Sequence, residues 1–190
     1  MKIIVGQNNL VLYSGENLSL TAEFAQVGKV KDPTTTTANA ELIEVESLPA
    51  AVVGGKYTYT EAGGFVATSA LLSLKKEELL DLLNTKEKVV ETAGLTLTGG
   101  TFIRTDALTQ LRLSQAASEC RANAQMTFDW KMATGDFVTL DAPTILIMNA
   151  AVVARVQACL SRERALTESI VACETVAELE NININTGWPE

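Results

Sequence analysis

Histidine is absent from all 190 residues, and cysteine occurs only three times, at Cys120, Cys159 and Cys173. A typical zinc site is built from several of these residues, and no CxxC pair is present, so no metal ligands are expected. Cys159 and Cys173 fall on one expected helix, roughly 21 Å apart at the helical rise of about 1.5 Å per residue. They cannot bridge each other there, so a disulfide framework is not expected either. Cationic residues are few: 15 Lys and Arg stand against 23 Asp and Glu, for a net charge of −8. With no basic cluster, nucleic acid is not an expected partner. Long hydrophobic runs are also missing. The stretch from Ala142 to Ala154 is uncharged, but a bilayer span needs about 20 apolar residues, so no membrane segment is expected. The opening MKIIVGQNN is short and soon interrupted, so no signal peptide is expected. With no secretion expected, no glycan is expected at the sequon Asn17-Leu18-Ser19.

Catalytic signatures are scarce as well. No Gly-rich phosphate loop, GxSxG elbow or HExxH helix occurs, so neither catalytic residues nor a cofactor are expected. The best case for an enzyme is Asp129, Asp136 and Asp141, close together in sequence around one expected hairpin, where paired carboxylates could exchange protons. Each has a structural alternative. Asp136 suits a turn, Asp141 suits a helix cap, and Asp129 can face water. The two tryptophans, Trp130 and Trp188, could stack on a sugar or a base, but large aromatics more often fill cores.

What the sequence does have is a hydrophobic fraction of 47% and two kinds of periodicity. An α+β fold is expected: a small antiparallel β domain over residues 1–70, then a mixed domain over 73–190 with β-hairpins and one long helix. In the first, Ile3 to Val5 and Leu10 to Tyr13 read as strand, turn, strand. Leu18, Leu20, Ala22 and Phe24 alternate with polar residues as one half-buried strand would. Lys31 to Ala40 is a polar connector, Leu42 to Val45 a further strand, and Lys56 to Thr68 a hairpin turning at Glu-Ala-Gly-Gly. In the second, Ser73 caps a helix through Leu74, Leu79, Leu82, Leu83, Val89 and Val90, with a break at Asn84-Thr85 and a stop at Gly94. LTLT-GG-TFIR follows as a hairpin. Thr105 or Asp106 opens a helix whose core stripe is Leu113, Ala116, Ala117 and Cys120. Thr175 and Glu178 have the spacing of a capping box for a short last helix.

The organising stretch is Phe128 to Cys173. A hairpin turning through Ala133-Thr134-Gly135-Asp136 leads into a helix over about 142–174. Asp141 stands at its N-cap, and Pro143 sits in the first turn, where no backbone N–H is needed. Ile145, Met148, Val152, Val156, Cys159, Leu166, Ile170 and Cys173 recur at threes and fours, and Leu146, Val153, Leu160 and Val171 widen that apolar face to roughly half the circumference. Glu163 interrupts the stripe, either as a rim charge or as one that fixes register or partner choice. The opposite face carries Ala150, Ala151, Ala154, Ala158, Ser161, Ala165, Ser169 and Ala172. Two readings fit it: helix propensity alone, or a face covered by another chain, since small side chains let a second backbone approach closely. The candidate partner-binding residues are therefore Ala150, Ala151, Ala154, Ala158, Ser161, Glu163 and Ala165.

ETAGLTLTGGTFIRTD, FDWK, GDFVTLDA, VQACLSRE and TGWP occur in this order between about Lys86 and Pro189. Through them the chain resembles a domain of unknown function found in tailed-bacteriophage tail proteins. The first 70 residues resemble the small β modules of tail-fibre and tail-fibre assembly proteins. The resemblance implies a place, the phage tail or its assembly, and no active site. The expectation is a tail-fibre assembly chaperone or adaptor, binding a trimeric tail-fibre protein through exposed β edges and the Ala-rich face, in the cytoplasm of an infected bacterium. A permanent minor component of the virion tail is the alternative, and a glycan-binding or hydrolytic fibre-tip protein a third. Homo- or hetero-oligomers are compatible with each.

Overall fold

A computed structural model, described for residues 1–46, 48, 52 and 54–189, has an α+β architecture of short antiparallel sheets and helices. The chain divides into two compact units, Met1–Glu77 with Cys173–Glu180, and Glu78–Ala172 with Asn181–Glu190.

The first unit contains β1 (Lys2–Val5), β2 (Val11–Gly15), β3 (Leu18–Leu20), β4 (Ala25–Val27), β5 (Val30–Asp32), β6 (Glu41–Glu44), β7 (Tyr57–Thr60) and β8 (Gly64–Ala67). A central sheet in the order β2-β1-β6 has both faces covered. Ile3 and Val5 pack on one side with Tyr57, Tyr59 and Phe65. Ile4 packs on the other with Leu18 and Ala25. This explains why β1 is apolar at successive positions rather than alternating: each parity has its own core.

The expected single strand through Ala22 and Phe24 is not formed. It stops at Leu20, because Thr21 Oγ1 donates to the carbonyl of Phe24 at 2.9 Å and accepts from the Glu23 and Phe24 N–H groups. The chain turns there and returns as β4 and β5. The start of the polar connector is also structured. The Asp32 carboxylate accepts from Tyr13 Oη at 2.8 Å, from the Thr34 N–H and hydroxyl, and from the Thr35 hydroxyl.

Helix α1 (Ser69–Thr92) begins in the first unit and ends in the second. It starts earlier than Ser73, after Thr68, whose hydroxyl donates to the Lys56 carbonyl. It does not break at Asn84-Thr85, because the Thr85 hydroxyl donates back to the Asp81 carbonyl at 3.0 Å inside the helix. Leu83 is buried, whereas Leu74, Leu82 and Val89 are exposed. The inward stripe passes instead through Glu87, 6% exposed and four residues after Leu83.

The second unit adds β9 (Leu95–Thr96), β10 (Phe102–Ile103), α2 (Ala107–Ala122), β11 (Thr127–Lys131), β12 (Phe137–Asp141) and α3 (Ala142–Ala172); α4 (Val176–Glu180) belongs to the first. Its core joins Ile103, the α2 stripe Leu113, Ala116, Ala117 and Cys120, and the α3 residues Ala142, Ile145, Met148 and Val152. Both hairpins lie on this core, through Leu95 and Leu97 of one and Phe128, Trp130 and Leu140 of the other.

Thr105 and Asp106 divide the capping work. Asp106 accepts the Thr109 N–H and caps α2. Fully buried Thr105 closes the end of α1: its hydroxyl donates to the Glu91 carbonyl and accepts the Gly94 N–H. Gly94 has φ +87°, and a Cβ there would lie 2.2 Å from the Phe102 ring, so the helix exit requires glycine. Asp141 caps α3 through the Thr144 N–H at 3.0 Å. Thr175 and Glu178 form the expected reciprocal box, each accepting the other's backbone N–H at 3.2 Å.

Candidate functional site

Helix α3 buries most of the expected stripe, Ile145, Met148, Val152, Cys159, Leu166 and Ile170, whereas Val156 is half-buried and Cys173, also half-buried, lies past the helix end at Ala172. Two polar residues, Asn149 and Arg155, are buried with it; Arg155 Nη2 donates to the Val90 carbonyl at 2.9 Å. The apolar face does not widen as expected. Val153, Leu160 and Val171 are 51%, 43% and 60% exposed, and Leu146 is half-buried. At 100° per residue those three lie on the flank of the helix, beyond the reach of the packed core.

The candidate partner residues divide accordingly. Ala150, Ala154, Ala158, Ser161 and Ala165 are exposed, and Ala151 is half-buried. With exposed Ile147 and Val153 they form an outer face free of charge from Ile147 to Ser161 except at the buried side, where Arg155 lies. Glu163 is apart from them. It is half-buried, and its charge helps to raise the Glu87 pKa.

That inner cluster is unusual. Burial first, then a hydrogen bond with Glu91, then the charges of Glu91 and Glu163 push the Glu87 carboxyl up to about 7. Gln110 Nε2 holds Glu91 Oε1 at 2.8 Å. Glu87 thus keeps its proton above the usual carboxylate range. Burial likewise raises the Cys159 thiol pKa. Glu87 escaped the sequence reading, although its place at the i+4 step of the α1 stripe was a readable signal.

The three hairpin carboxylates all have structural partners. Asp129 accepts the Thr139 hydroxyl and Asp136 the Thr134 hydroxyl, each at 2.8 Å. Asp141 is the α3 cap, and its hydrogen bonds from Thr144 hold its pKa below the usual carboxylate value. Among the described residues, no group of three or more Cys, Asp or Glu side chains is placed to hold a metal ion. Helix α3 is long and apolar enough to cross a membrane by length and composition, a property that core helices share.

A second feature was not foreseen. A groove of about 480 Å³ opens in the second unit, within the size range of ligand pockets. Phe102 to Arg104 form one wall and Phe128 to Ala133 the other, with Thr109, Arg112, Ala116 and Glu119 of α2 beneath. Phe102 and Phe137 are 43% and 71% exposed at its margin. Trp130 is half-buried, packing on the core and lining the groove at once. Period-two alternation gives the inward face of each hairpin but not what lies beside its edge.

No curated protein and no solved structure matches this chain. Over residues 75–185, more than half of its length, the sequence matches the family described as a domain of unknown function, DUF4376, and the chain belongs to that family.

Proposed function

We propose that this protein is a binding protein that assists assembly of a phage tail fibre, covering a tail-fibre polypeptide before its trimer forms. The observation that carries this reading is the exposed outer face of α3, where Ala150, Ala154, Ala158 and Ser161 stand beside exposed Ile147 and Val153. A solvated helix face normally carries long charged side chains; this one offers close contact with few rotamers to immobilise. The sequence resemblance to tail-associated proteins supplies the partner class. Fibre chains bury hydrophobic strand edges only when three meet, and their monomers aggregate readily before that. A partner of net charge −8 stays soluble while shielding them.

Co-expression with the neighbouring tail-fibre protein is the test. Soluble trimeric fibre should increase, and Ala154→Arg or Ala158→Arg should abolish the gain while leaving the helical circular dichroism and thermal transition in place. Both positions are exposed, so the larger side chain is accommodated in the free protein. A fibre that trimerises equally well alone and never co-purifies with this chain would overturn the proposal. Detection of the chain in purified mature particles would favour a permanent tail component instead.

A further inference from the structure

We infer that the groove of the second unit is a receptor for one extended strand of a partner polypeptide, which would join the two hairpins into a continuous sheet. This site is separate from the α3 face and does not depend on it.

The argument begins with the hairpin turns. In the first, the Leu97 N–H donates to Thr101 and the Gly100 N–H to Leu97; in the second, the Met132 N–H donates to Asp136 and the Gly135 N–H to Met132. Gly100 and Gly135 both have positive φ. Both are three-residue loops closed by the same two hydrogen bonds with a positive-φ glycine at the third position, and such a loop fixes the ladder's phase. Leu97 and Met132 face their partner strands, so alternate residues face away. With Phe102 opposite Thr96 and Lys131 opposite Phe137, the outward N–H and C=O groups belong to Phe102 and Arg104 on one hairpin and to Thr127, Asp129 and Lys131 on the other.

Those outward edges border the same groove. Successive side chains of a strand point to opposite faces, yet Phe102 to Arg104 and Phe128 to Ala133 line it as unbroken runs. Both parities line one space where a strand presents its edge. The groove therefore has backbone donors and acceptors on two walls and a helix beneath, an arrangement suited to strand addition. A small apolar ligand would leave those backbone groups without partners, whereas an extended peptide satisfies both walls at once.

Side chains define the partner further. Ala116 is the apolar part of a floor that Thr109, Arg112 and Glu119 flank, and Phe128 and Trp130 give an aromatic wall. Arg104, Arg112 and Lys131 outnumber Glu119 and Asp129 around the groove, in a chain that is strongly acidic elsewhere. The occupant is thus a strand alternating apolar residues, directed at the floor, with acidic residues that reach the cationic margin.

The test uses the full chain carrying Trp188→Phe, so that Trp130 is the only tryptophan. The probe is the peptide acetyl-Glu-Val-Glu-Phe-Glu-Val-Glu-amide, titrated to about 1 mM, the weak end of measurable affinity. A saturable change in Trp130 emission is expected, with new hydrogen-exchange protection at Phe102, Asp129 and Lys131. Methylating alternate backbone nitrogens of the peptide should weaken binding about tenfold or more, as loss of a good hydrogen bond does. Exposed Arg112→Glu should weaken it while leaving the thermal transition unchanged. Three outcomes would overturn the proposal: no saturable binding, equal affinity for the methylated peptide, or protection of the same amides in a concentration-dependent dimer without peptide. The last would assign the groove to a second copy of this chain. None of these results bears on fibre co-expression, and failure of co-expression leaves the peptide result standing.

Discussion

Replacing Glu87 by Gln should stabilise the second unit increasingly as pH rises from about 4.5 to 7, with the full gain kept above neutral pH. Glu87 is 6% exposed, its Oε1 has no hydrogen-bond partner among the described residues, and Glu91 and Glu163 add negative charge nearby, partly offset by Lys88. Its pKa rises from the ordinary 4.5 to about 7 in the folded chain. Between those values the folded state holds a proton that the unfolded state releases. Stability from this group is therefore fully present below about pH 4.5, falls as pH rises towards 7, and levels off above it. At about 1.36 kcal/mol per pKa unit, the loss is on the order of 3 kcal/mol. Gln keeps the shape and stays neutral, so the variant should lie within about 1 kcal/mol of wild type near pH 5 and exceed it by about 2–3 kcal/mol at pH 8. Both tryptophans lie in the second unit, so urea unfolding followed by tryptophan emission reports on it selectively. Asp106 and Asp141 have lowered pKa values and are ionised throughout this range, so they add no slope. A flat wild-type profile from pH 5 to 8, or an unchanged slope in Glu87→Gln, would refute the reasoning.

Besides the co-expression and peptide-binding outcomes already described, two further results are expected. Thr105→Val should destabilise the second unit by about 1–3 kcal/mol in the same urea assay, because it strands the buried Gly94 N–H and removes the donor to the Glu91 carbonyl; an unchanged midpoint would show that the α1 exit is satisfied otherwise. Asp32→Asn should make the first unit less sensitive to acid and less stable at neutral pH. The Thr34 and Thr35 hydroxyls, the Thr34 N–H and Tyr13 hold the Asp32 carboxyl well below the usual range, so its contribution is present above about pH 4 and is lost as pH falls through the folded value. Parallel acid titrations by far-ultraviolet circular dichroism would check this, and coincident profiles would exclude it.

The sequence alone determined the features that depend on near neighbours along the chain. The hairpin around Gly135 and the caps at Asp106, Asp141 and Thr175 follow from local backbone chemistry, and each forms as written. The inner stripes of α2 and α3 were likewise legible, because a 3.6-residue period selects one face wherever a core exists. Local chemistry was also decisive where the reading failed. Thr21 ended a strand that alternation alone would have continued, and Thr85 stayed within its helix by bonding backwards.

Tertiary structure decided how far each face is covered and what stands beside each edge. Val153 and Leu160 belong to the apolar pattern of α3, yet both stay exposed. Glu87 entered an apolar stripe because Glu91 and Gln110 provide a polar neighbourhood that lies four and 23 residues away along the chain. The groove between the hairpins is the clearest case. Turn chemistry fixes which backbone groups point outward, but only the packing of both hairpins on one α2–α3 core aims those edges at the same space. Periodicity encodes which side of a strand or helix is apolar; it holds no record of how distant elements are spaced when they share a core.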